Sequence, residues 1–367
     1  MFYFNRKRVL VALSGGVDSA VAAALLIEEG YEVAGITFQL WSEKVPEPPD
    51  ALPSHCYARK AVDEARRIAG MMGIPHELAD LREAFEEKVV NFFTREYGLG
   101  RTPNPCVICN RKIKFAALLQ KALQLKCSYI ATGHYARAEY CRERGRYLLK
   151  KGLDAAKDQS YVLYNLTQEQ LERCLFPLGG MTKEEVRSRA RKLGLPVAGK
   201  KDSQEICFIP DNDYRAFLKR RGIKEAPGDI VNRKGEILGR HRGIAFYTVG
   251  QRRGLGLAAP RPLYVLEIRP CDNTIVVGER EELYRKGAEL SGLNLIALSS
   301  LEHEMEVTAK IRYGAPEVPA IISPLQHEHQ RARLIFARPQ AAVAPGQAAV
   351  FYRGDLVIGG GTITAAV

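Results

Sequence analysis

A serine- and glycine-rich turn near the start of the chain carries the residue types that hold a phosphate. Residues 9–12 are apolar, residues 14–16 read Ser-Gly-Gly, and an alanine-rich segment then runs to Gly30. This order predicts a buried strand, a tight loop and the start of a helix. Backbone N–H groups and the positive end of the helix dipole would face a ligand there, and Ser14 and Ser19 add hydroxyls. The loop has neither the lysine of a Walker loop nor the spacing of a dinucleotide fingerprint.

Two cysteines spaced as C-x-x-C, Cys106 and Cys109, form a second candidate centre. They follow Pro-Asn-Pro at 103–105 and open a segment with three basic residues between 110 and 114. A thiol at a helix start beside cations is expected to be largely thiolate near neutral pH. From these residues alone three interpretations remain open: a nucleophile, half of a metal site, or two cysteines buried in a turn.

Cys207 lies where a polar stretch, residues 201–205, passes into the apolar sequence Ile-Cys-Phe-Ile. Such a context favours a core cysteine on a strand, because cysteine is among the most frequently buried residue types. Its neighbours alone therefore predict packing rather than chemistry.

Two polar segments have the residue types to bind an anion. Residues 157–159 read Lys-Asp-Gln and precede a helix predicted to begin at Ser160, although solvated turn residues are the commoner explanation for such a triplet. Residues 247–256 are basic, glycine-rich and led by a tyrosine, and they include Arg252 and Arg253. This second segment predicts a surface that binds phosphate groups of a nucleic acid, with an ordinary charged hairpin as the alternative.

The composition is that of a soluble globular protein with a polyanionic partner. Of 367 residues 46% are hydrophobic, and 54 Lys and Arg against 42 Asp and Glu give a net charge of +12. No apolar run approaches the ~20 residues of a membrane span, and no signal-peptide pattern precedes the first strand. Eight cysteines in a chain of this length indicate thiol chemistry in a reducing cytoplasm rather than a disulfide framework.

The elements that must position these residues alternate up to about residue 205. The periodicity predicts strands at 33–38 and 129–132 and helices at 58–72, 83–97 and 110–125. Thr167 with Gln170, and Thr182 with Glu185, are spaced as capping boxes. Alternation of this kind predicts a doubly wound parallel sheet, with Ser14 and His134 beyond the C-terminal ends of its strands.

From about Ala226 the sequence pattern changes: short alternating strands are joined by turns rich in Gly, Asn and Asp. This pattern predicts a small β-rich middle domain and, from about residue 284, a terminal β-barrel. We therefore expect three domains, at 1–212, 213–283 and 284–367.

Several segments in fixed order make the chain similar to one family. They are residues 14–19, 103–110, 131–135, 157–159, 202–208 and 247–256. In this combination the chain resembles the tRNA-specific 2-thiouridylases, PP-loop enzymes that split ATP to AMP and pyrophosphate. The resemblance covers essentially the whole length, whereas other PP-loop enzymes share only the first segment. It implies a Rossmann-like PP-loop domain of the α/β class followed by two β domains that bind tRNA.

The resemblance implies a cytoplasmic tRNA-uridine 2-sulfurtransferase that uses ATP and Mg²⁺. The O2 atom of the wobble uridine would attack the α-phosphate, giving an adenylated base and pyrophosphate. A sulfur carrier or cysteine desulfurase would place a persulfide on Cys207, and its sulfur would replace AMP at C2 directly or as hydrosulfide released by Cys109. Both routes end in a Cys109–Cys207 disulfide. We expect a monomer that acts on tRNAs for Lys, Glu and Gln, with no membrane partner.

The family's functional residues transfer to matching positions of this sequence. The resemblance assigns to ATP the residues Ala12, Leu13, Ser14, Gly15, Gly16, Val17, Asp18, Ser19, Phe38 and Gly133. It assigns to the target base Asn104, Pro105 and Cys106, and to other parts of the tRNA His134, Lys157, Asp158, Gln159, Arg312, Tyr313 and Gln347. Arg252 and Arg253 join the second group as the predicted phosphate-binding surface.

One position departs from part of the family. Some members carry aspartate at the position of Cys106, where a carboxylate has been suggested as a general base, and the thiol here does not supply that role. It also raises an alternative in which Cys106, Cys109 and Cys207 hold a [4Fe–4S] cluster with one open iron for hydrosulfide. Two further alternatives are a PP-loop ligase acting on a small acid and an RNA-binding or redox-sensing module with a vestigial loop.

Overall fold

A computed structural model describes residues 7–41, 56–200, 206–325 and 330–367. The chain forms two compact units. The first contains residues up to 89, 108–208 and 355–357, and the second contains 90–107, 209–354 and 358–367. Residues 202–205 of the motif that precedes Cys207 lie outside the described residues.

The first unit is built on a parallel sheet. In chain order its strands are β1 Arg8–Ala12, β2 Glu32–Gln39, β3 His76–Asp80, β4 Tyr129–Ala131, β5 Ala136–Cys141, β6 Arg146–Lys151 and β7 Cys174–Leu175. Five of them form the parallel order β3-β2-β1-β4-β7, and β5 and β6 form an antiparallel hairpin. Val9, Leu10 and Val11 of the central strand are each 0% exposed, as expected for a strand covered on both faces. The predicted doubly wound α/β class is confirmed.

Helices cover this sheet and continue into the second unit. They are α1 Val17–Glu28, α2 Cys56–Met71, α3 Arg82–Phe85, α4 Asn91–Gly98, α5 Pro105–Cys109, α6 Phe115–Gln124, α7 Ser160–Leu163, α8 Gln168–Arg173 and α9 Lys183–Lys192. Both predicted capping boxes are present, at Thr167 and at Thr182. Within the described residues no helix has the length and apolar character that crossing a bilayer would require.

Two helices predicted as uninterrupted contain π-helical turns, at Glu86–Val90 and Asn110–Lys114. The prediction is wrong there because the side-chain periodicity that marks a helix does not reveal one wider turn. Strand β3 and the β5–β6 hairpin were not predicted either. Only Ala79 of β3 is buried, so this edge strand lacks an apolar signature.

The second unit is rich in β-structure, as predicted. It contains α10 Tyr214–Arg220 and the strands β8 Gly228–Val231, β9 Ile237–His241, β10 Tyr264–Arg269, β11 Thr274–Gly278, β12 Tyr284–Leu295, β13 Met305–Lys310, β14 Val318–Pro324, β15 Arg331–Ala341, β16 Ala348–Arg353 and β17 Leu356–Ala366. Strands β8–β11 form a four-stranded sheet. The remaining six follow the order β12-β15-β14-β13-β16-β17 and close into a barrel through pairing of β12 with β17. Helix α10 was not predicted; its Tyr214 packs against Tyr97 of α4.

Candidate active site

The predicted phosphate loop joins β1 to α1 and is held by its own serines. The Ser14 N–H donates to Ser19 Oγ at 3.1 Å, and the two serine hydroxyl oxygens are 3.2 Å apart. Ser19 in turn donates to the Gly16 carbonyl at 3.1 Å and is itself buried. The loop is therefore already folded around the two hydroxyls that would face a phosphate.

Gly15 fits this loop for two independent reasons. Its φ of +68° is the left-handed conformation that glycine adopts without strain. A Cβ at this position would also lie 2.3 Å from the carbonyl oxygen of Ala61 in α2. The Gly15 carbonyl accepts a hydrogen bond from Lys200 Nζ at 3.1 Å, and the same ammonium is paired with the Glu64 carboxylate. Backbone donors and two hydroxyls make this edge of the sheet suitable for a triphosphate.

Asp18, the loop's acidic residue, is paired with a lysine from a distant helix. Lys183 Nζ lies 2.7 and 2.8 Å from the two carboxylate oxygens, and Tyr135 donates its hydroxyl to Oδ1 at 2.8 Å. The Lys183 side chain is only 11% exposed and lies over the Tyr135 ring, whereas the Asp18 side chain is 32% exposed. The Lys183 N–H is held by Asp154 Oδ2 at 2.9 Å. Neither Lys183 nor Tyr135 was among the predicted site residues.

Gly133 and His134 follow β4, beside the phosphate loop, as the predicted topology requires. A Cβ on Gly133 would lie 2.7 Å from the Ser19 nitrogen, so the end of β4 packs directly against the first turn of α1. Phe38 extends β2 beyond Ile36, the residue paired with Ala12 at the end of β1. Residues predicted to contact ATP thus meet at the C-terminal edge of the sheet, where parallel α/β folds bind ligands.

The His134 imidazole is held neutral. Burial, and secondarily the charge of Lys114, lower its pKa to about 3. Its Nδ1 is 2.8 Å from Thr132 Oγ1, and its ring packs at 5.7 Å from that of Phe115. At physiological pH this histidine can therefore hydrogen-bond to a substrate but does not carry an imidazolium proton to donate.

The 157–159 triplet is a structural element rather than a solvated turn. Asp158 is buried, and its Oδ1 accepts hydrogen bonds from the N–H groups of Gly152 and Ser160 at 3.1 and 3.0 Å. Gln159 exchanges two hydrogen bonds with the backbone of Tyr135, at 2.9 and 3.0 Å. The triplet therefore supports the tyrosine that contacts Asp18. The helix predicted to start at Ser160 is confirmed as α7.

Cys109 ends α5 and is 5% exposed. The π-helical turn begins at the next residue, Asn110, and turns of this kind occur frequently at functional sites. Asn110 donates from Nδ2 to the Val162 carbonyl at 3.1 Å, while its buried Oδ1 has no hydrogen-bond partner among the described residues. The shielded Cys109 is thus followed in sequence by a residue with a buried acceptor.

The N-terminal part of α5 belongs to the second unit and contains the residues predicted to surround the target base. Asn104 Oδ1 accepts hydrogen bonds from the N–H groups of Cys106 and Val107 at 3.1 and 3.3 Å, which caps the helix. Pro105 is buried, whereas Cys106 is exposed. Cys106 is therefore accessible to solvent, unlike its proline neighbour.

Cys207 is exposed in a turn, so the core position suggested by its neighbours is wrong. Its neighbour Phe208 is the residue that fills the core, at 1% exposure. The Phe208 ring lies 6.0 Å from that of Trp41 and 5.7 Å from that of Phe85. An aromatic anchor thus fixes the turn and leaves the adjacent thiol accessible.

The remaining predicted tRNA contacts lie in the second unit. Arg312 and Tyr313 are in the turn after β13, and Tyr313 is 47% exposed, which suits stacking on a base. Gln347 lies in the turn before β16, and its Nε2 donates to the Thr102 carbonyl at 3.0 Å.

The cluster alternative requires at least three ligating side chains close to one another. Across residues 7–41, 56–200, 206–325 and 330–367, no three His, Cys, Asp or Glu side chains are grouped as ligands of a metal ion. The described residues therefore offer no ligand set from which a step through a cluster can be derived.

Comparison with family models covers the chain in three consecutive segments. Residues 7–211 match the model described as tRNA methyl transferase HUP domain. Residues 215–279 match the tRNA methyl transferase PRC-barrel domain, and residues 286–363 match the aminomethyltransferase beta-barrel domain.

Curated relatives match over almost the full length. The tRNA-specific 2-thiouridylase MnmA 1 of Caldanaerobacter subterraneus subsp. tengcongensis is 54% identical over 358 residues, covering 97% of this chain and 98% of the relative. The tRNA-specific 2-thiouridylase MnmA of Carboxydothermus hydrogenoformans is 52% identical over 364 residues, covering 99% of each chain. A solved 4-thiouridine synthetase–RNA complex with bound ATP is 17% identical, with a TM-score of 0.36 over 59% of this chain and 50% of that chain. That likeness is too weak to bear on the site.

Proposed function

The chain belongs to the family of tRNA-specific 2-thiouridylases, and from this premise we propose how its own residues replace the C2 oxygen of the wobble uridine by sulfur. It is a tRNA-uridine 2-sulfurtransferase of the PP-loop superfamily and uses ATP. One observation supports the assignment of residues most strongly. The serine–glycine loop after β1 is already folded, its Asp18 is held by a buried lysine, and Gly133 packs against it from the next strand.

ATP with Mg²⁺ binds on this loop in our proposal. The backbone donors of residues 12–19 and the hydroxyls of Ser14 and Ser19 hold the phosphates, and Phe38 and Gly133 adjoin the adenosine. The uridine O2 attacks the α-phosphate, the bond to pyrophosphate breaks, and the base carries AMP as a leaving group. The fold contributes to this step by binding the negatively charged phosphates at the start of a helix. No proton is routed through Cys106, which is a thiol rather than a carboxylate.

Sulfur reaches the adenylated base through two cysteines of different exposure. Cys207 is exposed and suits loading by a sulfur carrier, whereas Cys109 is shielded and suits a protected nucleophile. In one route the terminal sulfur of the Cys207 persulfide attacks C2, AMP leaves, and the Cys109 thiolate then attacks Cys207 Sγ and releases the thiocarbonyl. In the other, Cys109 first releases hydrosulfide, which attacks C2. Each route oxidises two thiols to one disulfide, which an external dithiol must reduce.

The target base lies in a pocket formed by Asn104, Pro105 and Cys106 in this proposal. The uridine must leave the anticodon stack, because its reacting edge is otherwise shielded. His134 and the segment 157–159 contact the tRNA near the phosphate loop, and Arg312 and Tyr313 contact it from the barrel. The resemblance assigns Gln347 to this second group as well. Segments 1–212, 213–283 and 284–367 act as the catalytic domain and two tRNA-binding domains. The three family-model matches, at 7–211, 215–279 and 286–363, support these limits.

A cleft in the second unit supports a tRNA-binding role for the middle segment. It measures about 690 Å³ and is bordered by the glycine-rich turn that follows Arg252 and Arg253. Its lining combines basic, aromatic and two acidic residues: Arg215, Lys219, Arg240, Arg242, Phe246, Tyr247, Asp213 and Glu225. The Arg215 guanidinium lies over the Tyr247 ring, and such planar cations and rings are the groups on which RNA bases and phosphates bind.

Replacing Arg252 and Arg253 by alanine should weaken binding to all tRNAs alike. Each lost phosphate contact should reduce the slope of log affinity against log salt by about 1. Filter binding across a salt series measures this slope. Arg67→Ala, an exposed arginine of α2, is the control and should leave the slope unchanged. An unaltered slope in the double variant would remove these two arginines from the tRNA surface.

The assigned reaction is tested by mass spectrometry of wobble nucleosides. Unmodified tRNA, ATP, Mg²⁺ and a cysteine desulfurase with cysteine should yield 2-thiouridine and an equal amount of pyrophosphate. Pyrophosphate release with a carboxylate substrate and without tRNA would instead indicate a small-substrate ligase. Anaerobic reconstitution with iron and sulfide decides the cluster alternative, because a bound cluster would add an absorbance band at ~400 nm.

A further inference from the structure

Residues 101–106, which include the proposed base pocket, are hydrogen-bonded near their start to a turn of the barrel. The Thr102 N–H donates to the Pro345 carbonyl at 2.8 Å, and the Thr102 carbonyl accepts from Gln347 Nε2 at 3.0 Å. Both ends of this contact lie within the second unit. The backbone donor and acceptor of one residue are therefore both bound by the turn at 345–347, which is 245 residues away in sequence.

This barrel turn is itself firmly held. Gly346 donates its N–H to the Ile363 carbonyl, and the Ile363 N–H donates to the Gln347 carbonyl, each at 2.8 Å. Gly346 has a φ of +92°, and a Cβ there would lie 2.9 to 3.1 Å from the backbone of Thr102. Only glycine permits both this backbone conformation and this close approach. The turn thus acts as a fixed support for Thr102.

The residue before Thr102 is held by a different element of the second unit, helix α4. Arg101 forms two hydrogen bonds with Glu96 of α4, at 2.6 and 2.8 Å, and Glu96 is only 6% exposed. The hydrogen bonds to this carboxylate raise the pKa of the Arg101 guanidinium. Beyond Thr102, prolines at 103 and 105 restrict the backbone, and Asn104 caps α5. Fixing residues 101 and 102 therefore fixes where Asn104 and Cys106 lie.

We propose that Gln347 is a positioning residue, which with Gly346 sets the place of residues 101–106 and so the shape of the base pocket. The family resemblance assigns Gln347 to tRNA contact, but its amide nitrogen donates within the protein. A positioning role acts before tRNA binds, whereas a contact role acts only in the complex. The effect on catalysis rests on the proposed pocket at Asn104, Pro105 and Cys106; the effect on the free protein does not.

Hydrogen exchange of the tRNA-free protein distinguishes the two roles. Gln347→Met keeps the size of the side chain but removes the donor to Thr102. We expect the amides of peptide 99–107 to exchange roughly 2- to 10-fold faster, as the loss of one hydrogen bond implies, with β12 and β17 unchanged. At saturating tRNA, kcat for 2-thiouridine formation should fall while KM for ATP stays the same.

A pair of glycine variants supplies the matched control. Gly346→Ala should disturb peptide 99–107 more than Gln347→Met does. Gly292→Ala, at a barrel glycine with φ of +61° and open space around its Cβ position, should leave that peptide unchanged. If Gly346→Ala fails to fold, Gln347→Met still decides the question.

Three possible outcomes of these experiments bear on different parts of the proposal. Unchanged exchange of 99–107 in Gln347→Met would overturn the positioning role and leave tRNA contact. Faster exchange with an unaltered kcat would overturn the link to catalysis. Absence of 2-thiouridine from the wild type would contradict the proposed function, while the exchange result would still decide whether Gln347 positions the segment.

Discussion

Replacing either Cys109 or Cys207 by serine should lower 2-thiouridine formation by at least ~10³-fold, the scale seen when a covalent nucleophile is removed. A serine hydroxyl neither carries a persulfide nor closes a disulfide. In the proposed mechanism adenylation uses the phosphate loop and not these thiols, so each variant should still release about one equivalent of pyrophosphate per enzyme when tRNA and ATP are present. Nucleoside mass spectrometry and a rapid pyrophosphate assay measure the two steps separately.

Cys271→Ser is the matched control, because Cys271 is exposed like Cys207 but lies in the second unit, outside the proposed centre. It should thiolate tRNA at the wild-type rate. The two sulfur routes also differ in one variant. If free hydrosulfide is the attacking species, excess inorganic sulfide should restore part of the activity of Cys207→Ser. Full activity of Cys207→Ser with a desulfurase as donor would contradict the assignment of Cys207 as the sulfur carrier.

Replacing Lys183 by methionine should lower the rate of pyrophosphate release by roughly 10- to 100-fold and destabilise the fold by about 1–3 kcal/mol. The ammonium is buried and is the ion-pair partner of Asp18, with Tyr135 as the carboxylate's other hydrogen-bond donor. Without it a partly buried carboxylate would repel the phosphates beside it. The stability loss stays at this modest level because the Asp18 side chain is about a third exposed and partly screened by water.

Double variants show whether Lys183 acts through Asp18. If it does, Asp18→Asn combined with Lys183→Met should be no slower than the worse single variant, since both remove the same interaction. Chemical denaturation measures stability, and pyrophosphate release measures activity. Lys192→Met, an exposed lysine in the last turn of the same helix, should change neither. Additive losses in the double variant would mean that Lys183 acts independently of Asp18.

The parts of the fold that local chemistry determines could be predicted from the sequence. An apolar run followed by Ser-Gly-Gly predicts β1, the loop and α1, and both capping boxes mark helix starts. The barrel also follows from its short alternating strands. Edge strand β3 buries too little apolar surface to produce such a pattern, and a π-helical turn differs from an α-helical one by a single residue.

The residues of the candidate site also differ in whether the local sequence reveals them. Residues 14–19 are adjacent in sequence, so the loop could be predicted, but Lys183 reaches Asp18 across 165 residues. Its only local signal was a place inside the capping box at Thr182, which indicates a helix start and nothing about a ligand. At Cys207 a local pattern was present, but it predicted the wrong environment. Its apolar neighbours suggested burial, yet the chain turns there so that Phe208 enters the core while Cys207 stays exposed.

The aromatic anchor of that turn has a practical consequence. Trp41 is the only tryptophan of the chain, and its indole lies 6.0 Å from the ring that follows Cys207. Tryptophan emission depends on its immediate surroundings, so a displacement of Phe208 during sulfur loading or disulfide closure would alter the emission of the unlabelled protein. The enzyme thus has its single tryptophan beside the turn that we propose to receive sulfur, and tryptophan emission offers a way to follow sulfur loading in real time without an added dye.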